Sequence, residues 1–322
     1  MMDLLYLLVW LVVLFNVVAI LMILCGDADI ALQIKSKFGK SVESLAGQVV
    51  WITGASSGIG EELAYELARA GCRLVLSARR TKELERVKKE CMLRGSVKDE
   101  DILILTLDSI DFASHKSAVD KVLAHFKHID VLVNNAGRSQ RAEWMKTALQ
   151  VDRDMLELNV LGVLSLSKLV LPHMAERKSG HIVNVSSVAG KLGAPLSGSY
   201  TGAKHAVQGW FDALRVEVGE KNIYVTNICP GPVFSNILAV AFTENAGEEL
   251  KSQMNPNEKR MKTDRCAYLM GVAIANKMWE VWITRNPVLL FCYANQYLPN
   301  VAKWMGCRMG LKAIQKIREG QN

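Results

Sequence analysis

The chain has no CxxC pair and no histidines at ligand spacing from a cysteine. Its seven cysteines, Cys25, Cys72, Cys91, Cys229, Cys266, Cys292 and Cys307, are odd in number and scattered. That argues against a disulfide framework and a zinc site, and leaves reduced thiols that mostly belong to a core. No metal is expected. No linker divides the 322 residues, so one large α/β domain with appendages is the economical reading. Concentrated charge is also missing: the net +7 is spread along the chain, and the basic residues of 79–98 alternate with Glu and Asp. A nucleic-acid surface is therefore not indicated, whereas a membrane surface is compatible. Half of the residues are hydrophobic, enough for a sizeable core.

One stretch lacks charge altogether. Residues 4–25 are apolar apart from Asn16, and the run is long enough to cross a bilayer as a helix. It is apolar on every face, unlike a core helix of a soluble domain. Asp3 precedes it and the run is too long for a signal peptide, so an uncleaved anchor over 1–26 is expected. Lys35, Lys37 and Lys40 follow the run, and the positive-inside rule then favours a cytosolic globular part; Asp27 and Asp29 count little in that rule. The single sequon, Asn184-Val185-Ser186, falls on an expected core strand and does not report the side.

Downstream, short β-branched runs alternate with amphipathic segments. Strands are expected at 48–52, 73–77, 101–107, 130–133, 181–185, 224–229 and 280–284. Helices are expected at 61–70, 81–94, 112–126, 155–174 and 199–217. That alternation predicts βαβ units and one doubly wound, Rossmann-type parallel sheet over 46–285. The first strand runs into TGASSGIG at 53–60, a glycine-rich turn opening a helix. Its glycines permit close backbone approach, and the helix N-terminus offers N–H groups to a pyrophosphate. The second strand ends in Ala78-Arg79-Arg80 with no acid for ribose hydroxyls. Arg79 suits a 2′-phosphate, so NADP(H) is favoured over NAD(H).

Tyr200 and Lys204 are four residues apart, on one face if 199–217 is helical, and Ser187 lies at the preceding strand end. A phenol near pKa 10 needs a neighbouring ammonium to act as an acid-base group at neutral pH, and Lys204 is placed to supply it. Ser187 is placed to stabilise charge developing on a carbonyl oxygen. His181 and His205 are nearby in sequence, but a strand-edge or helical His is ordinarily structural.

These residues resemble the short-chain dehydrogenase/reductase family. TGASSGIG, NNAG at 134–137, Asn159, Ser187, YTGAK at 200–204 and PGPV at 230–233 occur in its order and spacing over about 47–235. Within it the chain is most similar to the membrane-anchored member 7 group. The resemblance implies that Tyr200 is the general acid, Lys204 lowers its pKa and holds the nicotinamide ribose, Ser187 polarises the carbonyl, and Asn159 holds a water linking Lys204 to solvent. It implies cofactor contacts from Gly54, Ser56, Ser57, Gly58, Ile59, Gly60, Arg79, Arg80, Asp108, Asn135, Ala136, Gly137, Tyr200, Lys204, Pro230, Gly231, Val233 and Ser235. Ser235 stands where many members have Thr, and Ser57 where some NADP-preferring members have a basic residue.

The expected activity is NADPH-dependent reduction of a lipophilic carbonyl compound, a retinoid, steroid or other aldehyde or ketone, by a single-pass protein of the endoplasmic reticulum membrane. An NAD-dependent alcohol dehydrogenase and a nucleotide-binding membrane scaffold are the alternatives. Homo-oligomers are common in such families. Residues 236–242 are apolar enough to cover a pocket, 244–262 read as a charged, mobile surface loop, and 286–322 mix apolar and basic residues. That last segment is either a membrane-surface element or a helix packed on the domain or a second copy.

Overall fold

The computed structural model describes residues 2–321. The β-branched runs form β1 (Val49–Thr53), β2 (Arg73–Ala78), β3 (Ile102–Thr106), β4 (Val131–Asn134), β5 (Gly180–Val185), β6 (Ile223–Pro230) and β7 (Glu280–Ile283). All neighbours are parallel, in the order β3-β2-β1-β4-β5-β6-β7. Two helices precede the sheet, α1 (Met2–Cys25) and α2 (Ile30–Phe38). Between strands run α3 (Gly58–Arg69), α4 (Thr81–Arg94), α5 (Phe112–Phe126), α6 (Leu149–Leu156), α7 (Gly162–Glu176), α8 (Gly198–Val218) and α9 (Thr263–Ala275). The chain then continues through α10 (Val288–Tyr297) and α11 (Pro299–Glu319).

Side chains alternate along a strand, so the sheet feeds two cores. Val50 and Ile52 of β1 join a cluster with α3, α4 and α9, while Val49 and Trp51 join one with α5, α7 and α8. Across β4, β5 and β6 the register aligns Asn134, Asn184 and Asn227. Their buried amides form a ladder, Asn134 to Asn184 at 3.0 Å and Asn184 to Asn227 at 3.2 Å, continued to Asp212 at 3.1 Å. The sequon asparagine is thus a core residue. From β1 the chain winds one way to β2 and β3 and the other way from β4 to β7, which opens a crevice at the C-terminal strand ends.

One expectation needs correction. The single helix expected over 155–174 is α6, a π-helical turn at Glu157–Leu161, and α7 with Pro172 inside it. The widened turn carries Asn159, whose amide is committed to the backbone of Arg138. Segment 244–262 is mostly exposed, as a surface loop, and meets the domain at a few points: Phe242 bridges to Glu249, Val233 to Met261, and Lys259 N donates to Gly320 O at 2.8 Å. Some of its charges are paired, Glu249 with Arg138 and Glu258 with Arg260. Residues 286–322 pack on the domain, one of the alternatives left open by the sequence. Leu289 and Cys292 pack on Cys229 and Trp282, and α11 bends at Gly310, where φ is 75°. The bend returns the tail to the domain, where Arg318 bonds Pro195 O and Ser197 Oγ.

Residues 27–45 also pack on the domain. Asp29 Oδ2 accepts from Trp282 N at 2.8 Å, Asp27 pairs with Arg265, and Leu32, Val42 and Leu45 are buried.

Candidate active site

A cavity of about 870 Å³ opens at the C-terminal strand ends, a size common to small-molecule sites. At one end is the turn between β1 and α3. Gly54 has φ +66°, and a side chain there would meet Ala136 Cα at 2.8 Å. The strand end can therefore lie against the 134–137 segment only because no Cβ intervenes. Ser56, Ser57, Gly58 and Ile59 line the cavity where α3 presents its N-terminus. Gly60 does not line it; a Cβ there would come within 2.5 Å of Asn135 Nδ2 and Gly54 O, so this glycine serves close packing.

Around the cradle, Arg80 Nη2 donates to Ser56 Oγ at 3.0 Å and Ser57 Oγ at 2.9 Å. Arg80, rather than Arg79, is thus the residue that reaches back over the turn, while Arg79 and Asp108 line the adjoining wall. Asn135 donates through Nδ2 to Thr53 O at 3.0 Å and Gly54 O at 3.2 Å, which fixes Asn135, Ala136 and Gly137 against β1. Pro230, Gly231, Val233 and Ser235 form the far side. The bare cradle, the helix N-terminus and the two arginines fit a dinucleotide with its phosphates at this end.

The helical spacing places Tyr200 and Lys204 one turn apart on α8, both buried and both facing the cavity. Lys204 Nζ donates to Val185 O at 2.8 Å and lies 5.7 Å from the Tyr200 ring centroid. Burial lowers Lys204 to about 8. Burial also raises Tyr200, against the hydroxyl of Ser187 and the charges of Arg141 and Arg318, which lower it. Ser187 Oγ donates to Pro230 O at 3.3 Å and accepts from Ala189 N at 3.1 Å, which orients it beside the tyrosine.

Asn159 is fully buried and does not line the cavity. Its Oδ1 accepts from Arg138 N at 3.0 Å, and its Nδ2 donates to Arg138 O and Met155 Sδ, each at 2.8 Å. With its side chain used in this way, Asn159 fixes the backbone after Gly137. That glycine is wedged tightly: a Cβ there would lie 2.7 Å from Asn159 Oδ1 and 3.7 Å from Lys204 Nζ. The two histidines near the site in sequence take no part in it. His181 is buried against Thr226, and His205 is exposed on the outer face of α8.

Sequence reasoning missed Arg141 and Arg318, which join the tyrosine's surroundings. Arg141 follows NNAG closely, a local hint that the segment entering the site carries further polar residues. Arg318 lies 121 positions from Ser197, its contact, and gave no local signal.

The sheet order and a crevice at its switch point put the chain among the Rossmann-type folds that hold nucleotides. The chain belongs to the short-chain dehydrogenase/reductase family of oxidoreductases: the family model described as short chain dehydrogenase matches residues 48–246. It is 48% identical over 321 residues to human dehydrogenase/reductase SDR family member 7, covering 98% of this chain and 94% of that protein. The mouse member 7 protein is 46% identical over 318 residues, 97% and 94% of the two chains. Among solved structures, an alcohol dehydrogenase from Thermococcus sibiricus complexed with 5-hydroxy-NADP superposes with a TM-score of 0.65 at 27% identity, covering 74% of this chain and 97% of that one. A Burkholderia phymatum short-chain dehydrogenase/reductase in complex with NAD, at 24% identity, shares the fold with a TM-score of 0.68, over 80% of this chain and 96% of that one.

Proposed function

We propose that the protein is a membrane-anchored, NADPH-dependent reductase of lipophilic aldehydes or ketones, retinoids and steroids among them. It sits in the endoplasmic reticulum membrane with its catalytic domain in the cytosol. The observation that carries the reading is the joining of Tyr200, Lys204 and Ser187 in one cavity with a glycine cradle flanked by Arg79 and Arg80. The absence of an acid after β2 and the presence of two arginines there support a 2′-phosphate. Val188, Leu192, Ile237, Val240, Phe291 and Ile314 make much of the remaining wall apolar, which suits a lipophilic substrate.

The glycine turn at 54–59, Asn135 and Lys204 would hold a reduced nicotinamide dinucleotide, which when bound would supply hydride to a carbonyl carbon. Tyr200 gives its phenolic proton to the oxygen, so the product is the alcohol, and the phenolate left behind regains a proton from solvent. Ser187 donates to the same oxygen and stabilises the charge that develops there. Arg141 and Arg318 favour the phenolate between the two transfers, and Lys204 lies a turn away, 5.7 Å from the ring centroid, where it would hold the nicotinamide ribose. Asn159 is a positioning residue, holding Arg138 and Gly137 against the lysine. Alcohol oxidation reverses the same steps.

The test is oxidation of NADPH against NADH by detergent-solubilised protein over retinals, ketosteroids and small carbonyls, with Tyr200→Phe alongside. Turnover is expected with NADPH, falling about a hundredfold to ten-thousandfold in the variant while the nucleotide still binds. Equal turnover by the variant would refute the tyrosine's role, and a preference for NADH would refute the cofactor assignment.

A further inference from the structure

Most cations around the cavity are accounted for. Arg138 pairs with Glu249, Arg260 with Glu258, and Arg80 serves the hydroxyls of the glycine turn. Arg141 and Arg318 are different. Arg141 Nη1 donates to Ser197 Oγ at 2.9 Å, and Arg318 Nη2 donates to the same oxygen at 2.6 Å. Ser197 Oγ in turn donates to Gln140 O, so the hydroxyl is fully used. The other acceptors, Ser139 Oγ and Gln140 O for Arg141 and Pro195 O for Arg318, are neutral. Among the described residues neither guanidinium has a carboxylate at ion-pair distance; the nearby Glu319 accepts from Gln315, and its charge acts on both arginines from farther off.

Two like charges sharing one neutral oxygen at a half-buried place is a costly arrangement. Burial pulls Arg141 down to about 10, and burial with the charge of Arg141 beside it pulls Arg318 down to about 9. Among the described residues Arg141 Nε and Nη2 and Arg318 Nε make no hydrogen bond, and both side chains line the cavity. An anion entering from the cavity would satisfy both. A dinucleotide's phosphates do not fill this role, because their cradle is at the other end with Arg79 and Arg80. Both arginines instead act on Tyr200, where the reacting carbonyl sits.

We propose that Arg141 and Arg318 are a specificity subsite for a carboxylate on the substrate, so that preferred substrates are apolar carbonyl compounds bearing an acid group close to the reacting carbon. The inference rests on the reductase reading for the reaction, and on the paired guanidinium groups for the acid. Planar N–H donors match a carboxylate in geometry as well as charge. Because Arg318 ends α11, an acid-bearing substrate would also fasten the C-terminal helix over the site.

The experiment compares benzoylpropionate with its methyl ester as substrates of the full chain in lipid nanodiscs with NADPH. Wild type should favour the acid in kcat/KM by at least about tenfold, and that ratio should fall about tenfold or more in Arg141→Gln and Arg318→Gln. Arg318→Lys should recover part of it. The ratio cancels any change that either arginine makes to Tyr200. Alongside, phenylbutyrate, which cannot react, should raise the Tm of wild type more than phenylbutyramide does, and the difference should vanish in the variants. A wild type that turns over acid and ester equally and gains no more from acid than from amide sinks the subsite and leaves the reductase standing. An acid preference that survives in both variants assigns the arginines to tying down the tail only. If neither carbonyl is turned over yet phenylbutyrate stabilises in an arginine-dependent way, the subsite holds and the reductase reading fails.

Discussion

His181 shows how a titratable side chain on the strand that delivers Ser187, but at its opposite end, is excluded from chemistry and given to stability. It is buried on β5, with Nε2 2.7 Å from Thr226 Oγ1. The Thr226 hydroxyl spends its proton on Met278 O, so the imidazole must be the donor and is neutral with its proton on Nε2. Burial, with Lys277 adding to it, lowers His181 to about 3. The unfolded chain has this pKa near 6.5, so below that pH the unfolded state binds a proton that the folded state refuses. The stability contributed is complete above about pH 6.5 and is lost as pH falls toward 3, with a slope of up to about 1.4 kcal/mol per pH unit. His115, also lowered by burial, adds to the loss with the same sign. Urea midpoints measured from pH 7 to pH 4 should fall less steeply for His181→Gln, which keeps a donor for Thr226, than for wild type; parallel slopes would show that the histidine does not titrate on unfolding. At this scale the sequence was readable where partners are neighbours. Tyr200 and Lys204 announce each other across one helical turn, whereas Arg141 and Arg318 meet only because α11 bends back at Gly310.

Between residues and the whole fold, the element that decides the site's shape is the π-helical turn at Glu157–Leu161. The sheet and its crossovers were legible because buried parallel strands are short β-branched runs and the helices between them are amphipathic. The π turn was not, since Met155, Val160 and Leu166 keep an apolar rhythm through it and only the Asn stands out. Its cause is tertiary: the Asn159 amide clamps both backbone polar groups of Arg138, a residue 21 positions away. Asn159→Ala leaves that N–H and C=O without partners, a loss of about 2–4 kcal/mol once partial access to water is allowed for. In a domain of this size that lowers Tm by about 3–7 °C. Differential scanning fluorimetry of purified Asn159→Ala checks it; a Tm within a degree or two of wild type would mean that the clamp carries no stability. Residues 286–322 were equally hard to place from sequence, because a face made of Phe291, Ala302, Ile314 and Ile317 reads the same against a membrane, a second copy or a cavity.

The apolar helix α1 meets the domain beside the elements that wall the cavity. Tyr6–Cys25 has a mean hydropathy of 3.0 and no residue of that span is buried on the domain. Its 20 residues rise about 30 Å, the thickness of a hydrocarbon core. Only Gly26 separates it from Asp27 and Asp29, which are fastened to Arg265 and Trp282. Asn286, just before α10, donates to Ile23 O at 2.7 Å and Leu24 O at 2.8 Å at the helix end. The helix thus meets the domain beside α10, and α10 and α11 are walls of the cavity. Placed in a bilayer, such an anchor holds the cavity wall near the lipid surface, where lipophilic carbonyl compounds partition. Since α1 buries nothing in the core, removing residues 1–25 should cost only the Asn286 and Gln33 contacts with it, a Tm change below about 5 °C. The shortened protein should lose carbonate-resistant attachment to microsomal membranes. With vesicle-borne retinal its KM should rise, while with a water-soluble carbonyl kcat and KM stay as in the full chain. An equal KM for retinal in both forms would separate anchoring from substrate access, leaving the helix an address rather than part of the site.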